Sequence, residues 1–284
     1  MELNVENCEQ IRELLRAGRE EELGKIAWSG ETLAGAMHVA CLEKEVRSSS
    51  ATRHMFFRFL DEWDYLPCFQ SAREAMKHQG LWSMPLRMKA EAHPWEILPV
   101  PSEAQVADVA WRQFHMRFEA SMRACGFAGK LPRALTAALS EMADNSLRHS
   151  GSSIKSPAMG AVGYSVDQGQ MTFCVVDVGR GVLSSLQTNK INALLKDDVA
   201  ALRAAVLEKA TSTDKEFGDG FEQVHRALAD LNGRLRFRSG SARLEIDGRG
   251  EHRQIDPVPG MAPAMGFQVV VRCALDGFTN ESSL

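Results

Sequence analysis

Apolar side chains are spaced for helices over most of the first 78 residues. They recur at near-helical intervals between Glu and Arg residues, at Ile11, Leu14, Leu15 and Leu23. This is the pattern of helices that bury one face. The run 55–69 is rich in aromatic residues, which fits core packing or, alternatively, a partner-binding surface. Four prolines then interrupt the pattern, so residues 83–102 are predicted to form a linker.

Beyond residue 102 the pattern predicts helices and strands. The predicted helices cover residues 102–125, 132–148, 197–210 and 221–231. The predicted strands cover residues 160–166, 171–178, 234–238, 243–246 and 267–273. Ser102 is a suitable N-cap for the first of these helices, and Pro132 lies in the first turn of the second, where proline is tolerated. Helices combined with mostly antiparallel strands predict an α+β fold.

Composition divides the chain into two regions. All five tryptophans precede residue 112, and residues 1–100 hold 12 basic and 16 acidic residues, which accounts for the whole net charge of −4. We therefore predict a helix-rich N-terminal domain over residues 1–100, with a regulatory or partner-binding role. A second domain is predicted over residues 101–284, since a chain of 284 residues is long enough for two cores.

Charge and cysteine usage exclude several classes of protein. A net charge of −4 gives no reason to expect nucleic acid or an anionic membrane as a partner. No apolar run approaches the roughly 20 residues that span a bilayer, and there is no signal-peptide pattern. The six cysteines form no CxxC pair or zinc-ligand spacing. The expected location is therefore the reducing cytoplasm.

The first candidate motif lies on the predicted helix over 132–148. Glu141 and Asn145 are four residues apart and share one helix face. A carboxylate and a carboxamide there could hold water and a hard cation, which prefers oxygen ligands. Arg148 and His149 lie about one turn further and could meet phosphate. Taken alone, the pattern also fits a solvated helix face.

The second candidate motif follows an apolar strand. Asp177 ends the strand, and Gly179 and Gly181 come next. The glycines permit a sharp turn and the close approach of a ligand. Asp177 could accept a hydrogen bond from an exocyclic amine at the floor of a pocket. An ordinary Asp/Gly turn is the alternative.

The third candidate motif precedes the predicted helix over 221–231. It comprises Gly218, Asp219, Gly220 and Phe221. A glycine-rich turn that leads into a helix offers unpaired N–H groups and the positive end of the helix dipole to phosphate. A flexible loop is the alternative.

In this order and spacing the three motifs resemble those of the gyrase, heat-shock chaperone, histidine kinase and MutL (GHKL) ATPase family. Glu141 with Asn145 resembles its N box, residues 177–181 its first glycine box and residues 218–220 its second. The resemblance covers about three-fifths of the chain, roughly residues 102–275. It implies a Bergerat-type two-layer sandwich, in which helices cover a mostly antiparallel sheet, preceded by the smaller N-terminal domain. The segment 197–213 resembles stand-alone bacterial members that are similar to histidine kinases.

The family resemblance implies a role for each matched residue. Asn145 would coordinate Mg²⁺, and Asp177 would bind the amino group of adenine. Gly179 and Gly181 would shape the adenine pocket. Gly218 and Gly220 would cradle the phosphates, with Asp219 and Phe221 also at the nucleotide site, and residues 182–217 would form a lid over ATP. The family carries a Gly-Thr pair before the last strand, and aligning Phe267 with that strand places Ala264-Met265 at those positions. This departure bears on the water-mediated adenine contact that the family's threonine makes.

Three functions are compatible with these motifs. The first is a bacterial signal-transduction protein that binds Mg-ATP and hydrolyses it slowly, with Glu141 as general base. Lid closure would then control association with a protein partner or a second copy. The second is a serine/threonine kinase acting on a partner protein, in the manner of anti-sigma-factor kinases. The third is a non-catalytic interaction protein with a degenerate nucleotide pocket.

Overall fold

A single antiparallel sheet of eight strands organises the computed structural model. The structure describes residues 2–26, 30–48, 60, 66–77, 86–88, 95–100, 109–149, 160–167, 169–207, 228, 233–248, 253–257 and 261–275. The strands are β3 Leu86–Met88, β4 Trp95–Pro99, β5 Gly160–Asp167, β6 Gln170–Asp177, β7 Arg234–Gly240, β8 Ala242–Asp247, β9 Arg253–Pro257 and β10 Ala264–Ala274. Their order is β3-β4-β5-β6-β10-β7-β8-β9, so the last strand lies in the middle.

The N-terminal region is helical, as predicted. Its helices are α1 Val5–Arg16, a 3₁₀ helix Glu20–Lys25, α2 Leu33–Ser48 and α3 Pro67–Lys77. Asn4 caps α1, because its side chain accepts a hydrogen bond of 3.0 Å from the Asn7 N–H. Two short strands, β1 Glu2–Leu3 and β2 Gly30–Glu31, pair in parallel beside these helices. Most of the aromatic run 55–69 lies outside the described residues.

The remaining helices follow the strand β4. They are α4 Val109–Ala124, α5 Leu131–His149, α6 Gly181–Leu186, a 3₁₀ helix Lys190–Asn192 and α7 Asp198–Leu207. The predicted positions of α4, α5 and α7 are confirmed, and Pro132 lies in the first turn of α5. The proposed N-cap Ser102 and the predicted helix over 221–231, apart from Leu228, lie outside the described residues.

Helices cover both faces of the sheet. Along β6, Phe173 and Val175 belong to a core formed with α4 and α5, whereas Cys174 and Val176 belong to a core formed with α1, α2 and α3. Fully burying a side chain of this size contributes about 1.5–3 kcal/mol. The α+β class and the packing of helices on an antiparallel sheet are confirmed. The N-terminal helices add a third layer to the two that were predicted.

The segment predicted as a linker contributes two strands to the sheet. β4 pairs with β5 in antiparallel register, with Ile97 opposite Gly163. The buried carboxylate of Glu96 on β4 accepts hydrogen bonds from the Tyr164 hydroxyl at 2.8 Å and from the Arg117 guanidinium of α4. The linker prediction for 83–102 is therefore wrong where β3 and β4 form. The division at residue 101 stays a prediction, and it falls between two elements of one sheet-centred fold.

No helix in the described ranges is both long and apolar enough to cross a membrane. The predicted hairpin is confirmed as β5 and β6, and the three later predicted strands are confirmed as β7, β8 and β10. The strand β9 was not predicted. It pairs with β8 at the far edge of the sheet, with Leu244 opposite Ile255.

Candidate functional site

Asp177 is the last residue of β6 and is almost fully buried, with 1% of its surface exposed. Its position follows from the strand: β6 alternates between the two cores and ends where the chain turns at Val178. The N–H of Gly179 donates a hydrogen bond of 2.7 Å to Asp177 Oδ1. The turn after the strand therefore folds back onto the carboxylate and fixes one of its two oxygens.

A second turn approaches Asp177 from the neighbouring strand. The register between β10 and β7 shifts between Ala264 and Phe267, which forms a β-bulge. Within it, Gly266 has a φ of +63°, and a Cβ built there would overlap both the carboxylate and the carbonyl of Asp177. Only glycine combines that backbone conformation with such a close approach. The bulge thus forms a wall of the site.

The helix α5 covers the carboxylate through Ser146. The Ser146 hydroxyl is close enough to lower the pKa of Asp177. Even so, neither Ser146 Oγ nor Asp177 Oδ2 has a well-formed hydrogen bond within the described part of the chain, although both atoms are buried. Buried polar atoms are normally paired, so two neighbouring orphans indicate a place for a polar ligand group or a water molecule.

The environment of Asp177 sets its charge near neutral pH. Burial raises the pKa of Asp177 to about 7, and the hydrogen bond from the Gly179 N–H, together with the nearby Ser146 hydroxyl and Phe267 N–H, acts in the opposite direction. Desolvation thus outweighs the polar groups that favour the ionised form. A ligand that donates a further hydrogen bond to Oδ2 would favour the carboxylate.

The predicted N box lies on the part of α5 next to this pocket. Met142, Ala143 and Ser146 form the buried face of the helix. Asn145 is half-buried and Glu141 is exposed, one turn apart on a side of the helix that adjoins the buried face. Since Ser146 lies close to Asp177, the structure brings the segment predicted as the N box next to the segment predicted as the first glycine box.

Arg148 and His149 occupy the C-terminal end of α5. The Arg148 Nε lies 2.7 Å from the Asp144 Oδ2 in an exposed pair along the helix surface. Exposed pairs of this kind contribute little to stability, so Arg148 can exchange this partner for another anion at small cost. Its predicted phosphate contact, and that of His149, stay predictions.

The described part of the predicted lid, residues 182–207, ends in a helix that packs against the sheet. Asp198, at the start of α7, accepts hydrogen bonds from the N–H and the hydroxyl of Ser241, at 2.8 and 2.9 Å. Leu202 and Val206 of the same helix are buried in the core that includes Leu244. Residues 208–217 of the predicted lid lie outside the described residues, as do Gly218, Asp219, Gly220 and Phe221.

Ala264 and Met265, which the predicted resemblance aligns with the Gly-Thr pair of the GHKL family, lie at the start of β10. Ala264 is buried, whereas Met265 is 43% exposed. The Met265 N–H donates a hydrogen bond of 3.3 Å to Glu45 Oε1 of α2, so this edge of the site is attached to the N-terminal helices. Neither side chain offers the hydroxyl of a threonine.

Sequence reasoning missed Gly266 and did not assign a role to Ser146. A signal for Gly266 was present, because a glycine directly before an apolar strand indicates a bulge or a close backbone approach. Ser146 follows Asn145 directly, and a polar residue among the apolar positions of a helix face suggests a buried hydrogen-bonding role.

Metal binding has no support beyond the motif itself. Within the described ranges, no group of three or more His, Cys, Asp or Glu side chains is arranged to hold a metal ion. Asn145, predicted as a Mg²⁺ ligand, therefore stays a prediction.

The chain matches no protein-family profile, no curated protein and no solved structure. The resemblance to the GHKL family rests on the residues of this chain alone.

Proposed function

We propose that this chain binds Mg-ATP in a pocket of the GHKL type, between α5 and the end of β6, within a Bergerat-type arrangement. The order of the three motifs and the environment of Asp177 support this proposal. The observation that carries it is the buried Asp177 Oδ2, which lacks a hydrogen-bond partner among the described residues.

The free carboxylate oxygen selects the kind of ligand group. A carboxylate only accepts hydrogen bonds, so its natural complement is a donor such as the exocyclic amine of adenine. Guanine carries a carbonyl oxygen at the equivalent position and would meet Asp177 Oδ2 with repulsion. The neighbouring Ser146 hydroxyl can both donate and accept, so it suits a ring nitrogen or a bridging water.

The N box supplies the phosphate side of the proposed site. Mg²⁺ bound to nucleotides keeps several waters and takes few protein ligands, so one carboxamide oxygen of Asn145 is sufficient. Glu141 lies one turn before Asn145 and is exposed to solvent, where it can meet a water near the terminal phosphate. The proposed reaction is slow hydrolysis that is coupled to lid closure and to association with a protein partner or a second copy.

Calorimetry on the full chain tests ATP binding directly. Wild type should bind ATP in the presence of Mg²⁺, and Asp177→Ala should weaken binding about 5- to 150-fold, the loss expected for one buried hydrogen bond. Asn145→Ala should remove the Mg²⁺ dependence of the affinity. Wild type that shows no binding heat, or Asp177→Ala that binds as tightly as wild type, would contradict the proposal.

A second candidate is a protein that binds ATP without turning it over. The exposed Met265, at the position of the family's threonine, favours this candidate because it removes a contact to the base. The two candidates differ in phosphate release by the wild-type protein. Release that depends on Glu141 supports hydrolysis, whereas tight binding with no release supports a nucleotide-controlled switch.

A further inference from the structure

The hydroxyl of Ser239 joins the two turns that flank Asp177. It accepts a hydrogen bond of 3.0 Å from the Val182 N–H, which directly follows the first glycine box. It donates a hydrogen bond of 2.7 Å to the carbonyl of Gly266 in the β10 bulge. Ser239 itself is buried, with 1% of its surface exposed.

This connection does not follow from strand pairing. In the sheet β10 lies between β6 and β7, so β7 and the turn after β6 are not neighbours. The Ser239 side chain reaches across the start of β10 to the turn after β6. The space is tight, since a Cβ built at Gly181 would lie 3.1 Å from Ser239 Oγ and 3.4 Å from the Gly266 carbonyl oxygen.

Both turns that Ser239 joins contact the carboxylate. On one side the Gly179 N–H donates to Asp177 Oδ1 at 2.7 Å, and on the other side Gly266 lies directly against Asp177. The position of the carboxylate therefore depends on the distance between the two turns, and the Ser239 hydroxyl fixes that distance.

We propose that Ser239 is a positioning residue of the nucleotide site, which aims the Asp177 carboxylate at the amino group of the base. This inference rests on the proposed function. Ser239 does not touch the nucleotide; it acts through Gly266 and the Gly179–Val182 turn. Because aim matters most for the directional contact to the amine, Ser239 contributes to the preference for adenine over guanine.

Removing the hydroxyl should affect the two nucleotides differently. In Ser239→Ala the Val182 N–H and the Gly266 carbonyl lose their shared partner, and the two turns are free to separate. ATP affinity should fall about tenfold, whereas the weaker GTP affinity should not fall, because the positioned carboxylate repels guanine instead of binding it. General destabilisation of the fold would lower both affinities alike.

The experiment is calorimetry of the full chain with Mg-ATP and with Mg-GTP. Ser71→Ala is the matched control, because Ser71 is also a buried serine but lies on α3, away from the pocket. It should keep both affinities of wild type. Ser239→Thr keeps the hydroxyl on a strand that accepts β-branched residues and should keep the ATP-to-GTP ratio of wild type. It also provides the comparison if Ser239→Ala does not fold.

The outcomes separate this inference from the proposed function. If Asp177→Ala weakens ATP binding while Ser239→Ala keeps the ATP-to-GTP ratio of wild type, Ser239 has no positioning role and ATP binding stands. A folded Ser239→Thr protein with a reduced ratio overturns the inference in the same way. If Asp177→Ala and wild type bind ATP equally, the pocket itself is wrong, and the role of Ser239 falls with it.

Discussion

Gly266 lies so close to Asp177 that no other residue fits at position 266. A Cβ there would overlap the Asp177 carboxylate and carbonyl, and the φ of +63° lies in the left-handed region that favours glycine. The bulge at the start of β10 thus brings backbone, rather than a side chain, against the floor of the candidate pocket. This leaves the second carboxylate oxygen for a ligand.

Gly266→Ala should therefore remove nucleotide binding and destabilise the protein. The left-handed conformation alone costs an alanine about 1–2 kcal/mol, and the overlap with Asp177 adds to it. Gly129→Ala is the control, because Gly129 has a similar φ of +65° with open space around its Cβ position. Calorimetry and thermal unfolding would contradict the prediction if both variants lost the same stability and kept their affinity for ATP.

ATP affinity should rise with pH between about 5.5 and 8. The pKa of Asp177 is raised to about 7 by burial, and an amine donor binds only the ionised form. Below that pH binding must first remove a proton, so affinity should fall by up to about tenfold per pH unit. Asp177→Asn is the control, since the phosphates of ATP titrate equally with both proteins. Parallel pH profiles for the two proteins would exclude Asp177 as the titrating group.

The same carboxyl should make the nucleotide-free protein less stable as pH rises. Its folded-state pKa of about 7 lies above the ordinary aspartate pKa of 3.8, so the folded protein retains a proton that the unfolded chain releases. Stability is lost between about pH 4 and pH 7, by at most about 4 kcal/mol. Asp177→Asn removes this loss. In thermal unfolding, the melting temperature of Asp177→Asn should be several degrees above that of wild type at pH 8. The difference should vanish near pH 4.

Glu141→Gln should separate binding from turnover. The Glu141 side chain is exposed on α5 and is not part of the buried floor, so ATP affinity should be kept within about twofold. Phosphate release should be abolished if Glu141 is the general base. The kinase alternative can be checked by adding labelled ATP and the protein to a cell extract. A kinase would transfer the label to a partner protein, and the Asn145→Ala variant would not. Release at the wild-type rate would show that Glu141 is not the base.

Glu9→Gln should loosen the N-terminal layer. Burial alone would raise the pKa of Glu9, but the charges of Arg238, Arg12 and Arg236 outweigh it and lower the pKa. Because its pKa is lower in the folded protein, ionised Glu9 stabilises the fold at pH values above the ordinary carboxyl range. This stabilisation is lost as the pH falls through the pKa of Glu9 in the folded state. At pH 7 the variant leaves the buried Arg238 guanidinium without its carboxylate partner and should lose at least about 2 kcal/mol.

The control for this change is the exposed pair Arg19–Glu22, whose Nε and Oε1 atoms lie 2.5 Å apart. Glu22→Gln should leave thermal unfolding unchanged, because exposed ion pairs are screened by solvent. Equal stability of the two variants at pH 7 would show that the charges between α1 and β7 do not hold the layers together.

The elements that could be predicted are those with local patterns. The helix α5 has a regular apolar face, and β5 and β6 alternate or run apolar on either side of a short turn. By contrast β4 has five residues, ends in a proline, and pairs with β5 more than 60 residues later. A strand this short gives too few residues for a recognisable pattern, and its partner lies far away in the sequence. The strand β4 therefore could not be predicted from local sequence.

The third layer, formed by the N-terminal helices, could not be predicted because β7 carries charged residues on the face that those helices cover. Arg236 and Arg238 alternate with apolar residues, which is the pattern of a strand with one face in water. They are instead buried, since Glu6 and Glu9 of α1 supply the matching charges at 2.8 and 3.0 Å. A pairing between residues more than 200 positions apart cannot be inferred from either segment alone.

The candidate site could be predicted as a set of residue types and not as a geometry. The order of the motifs and the chemistry of the side chains identified Asp177 and Asn145 as candidate binding residues from a single sequence. The contributions of Gly266 and Ser239 depend on a bulge and on strand order. Both properties emerge only when non-adjacent strands assemble.

The strand β4 and the helices before it limit how this fold can be rearranged in evolution. A gene segment encoding only residues 101–284 would leave β5 with an unpaired edge, a surface that invites aggregation. It would also uncover Cys174, Val176 and Val270 on the opposite face, together with arginines that have lost their anions. The candidate pocket is therefore not a transferable unit by itself, and domain shuffling would have to carry the preceding 100 residues along with it.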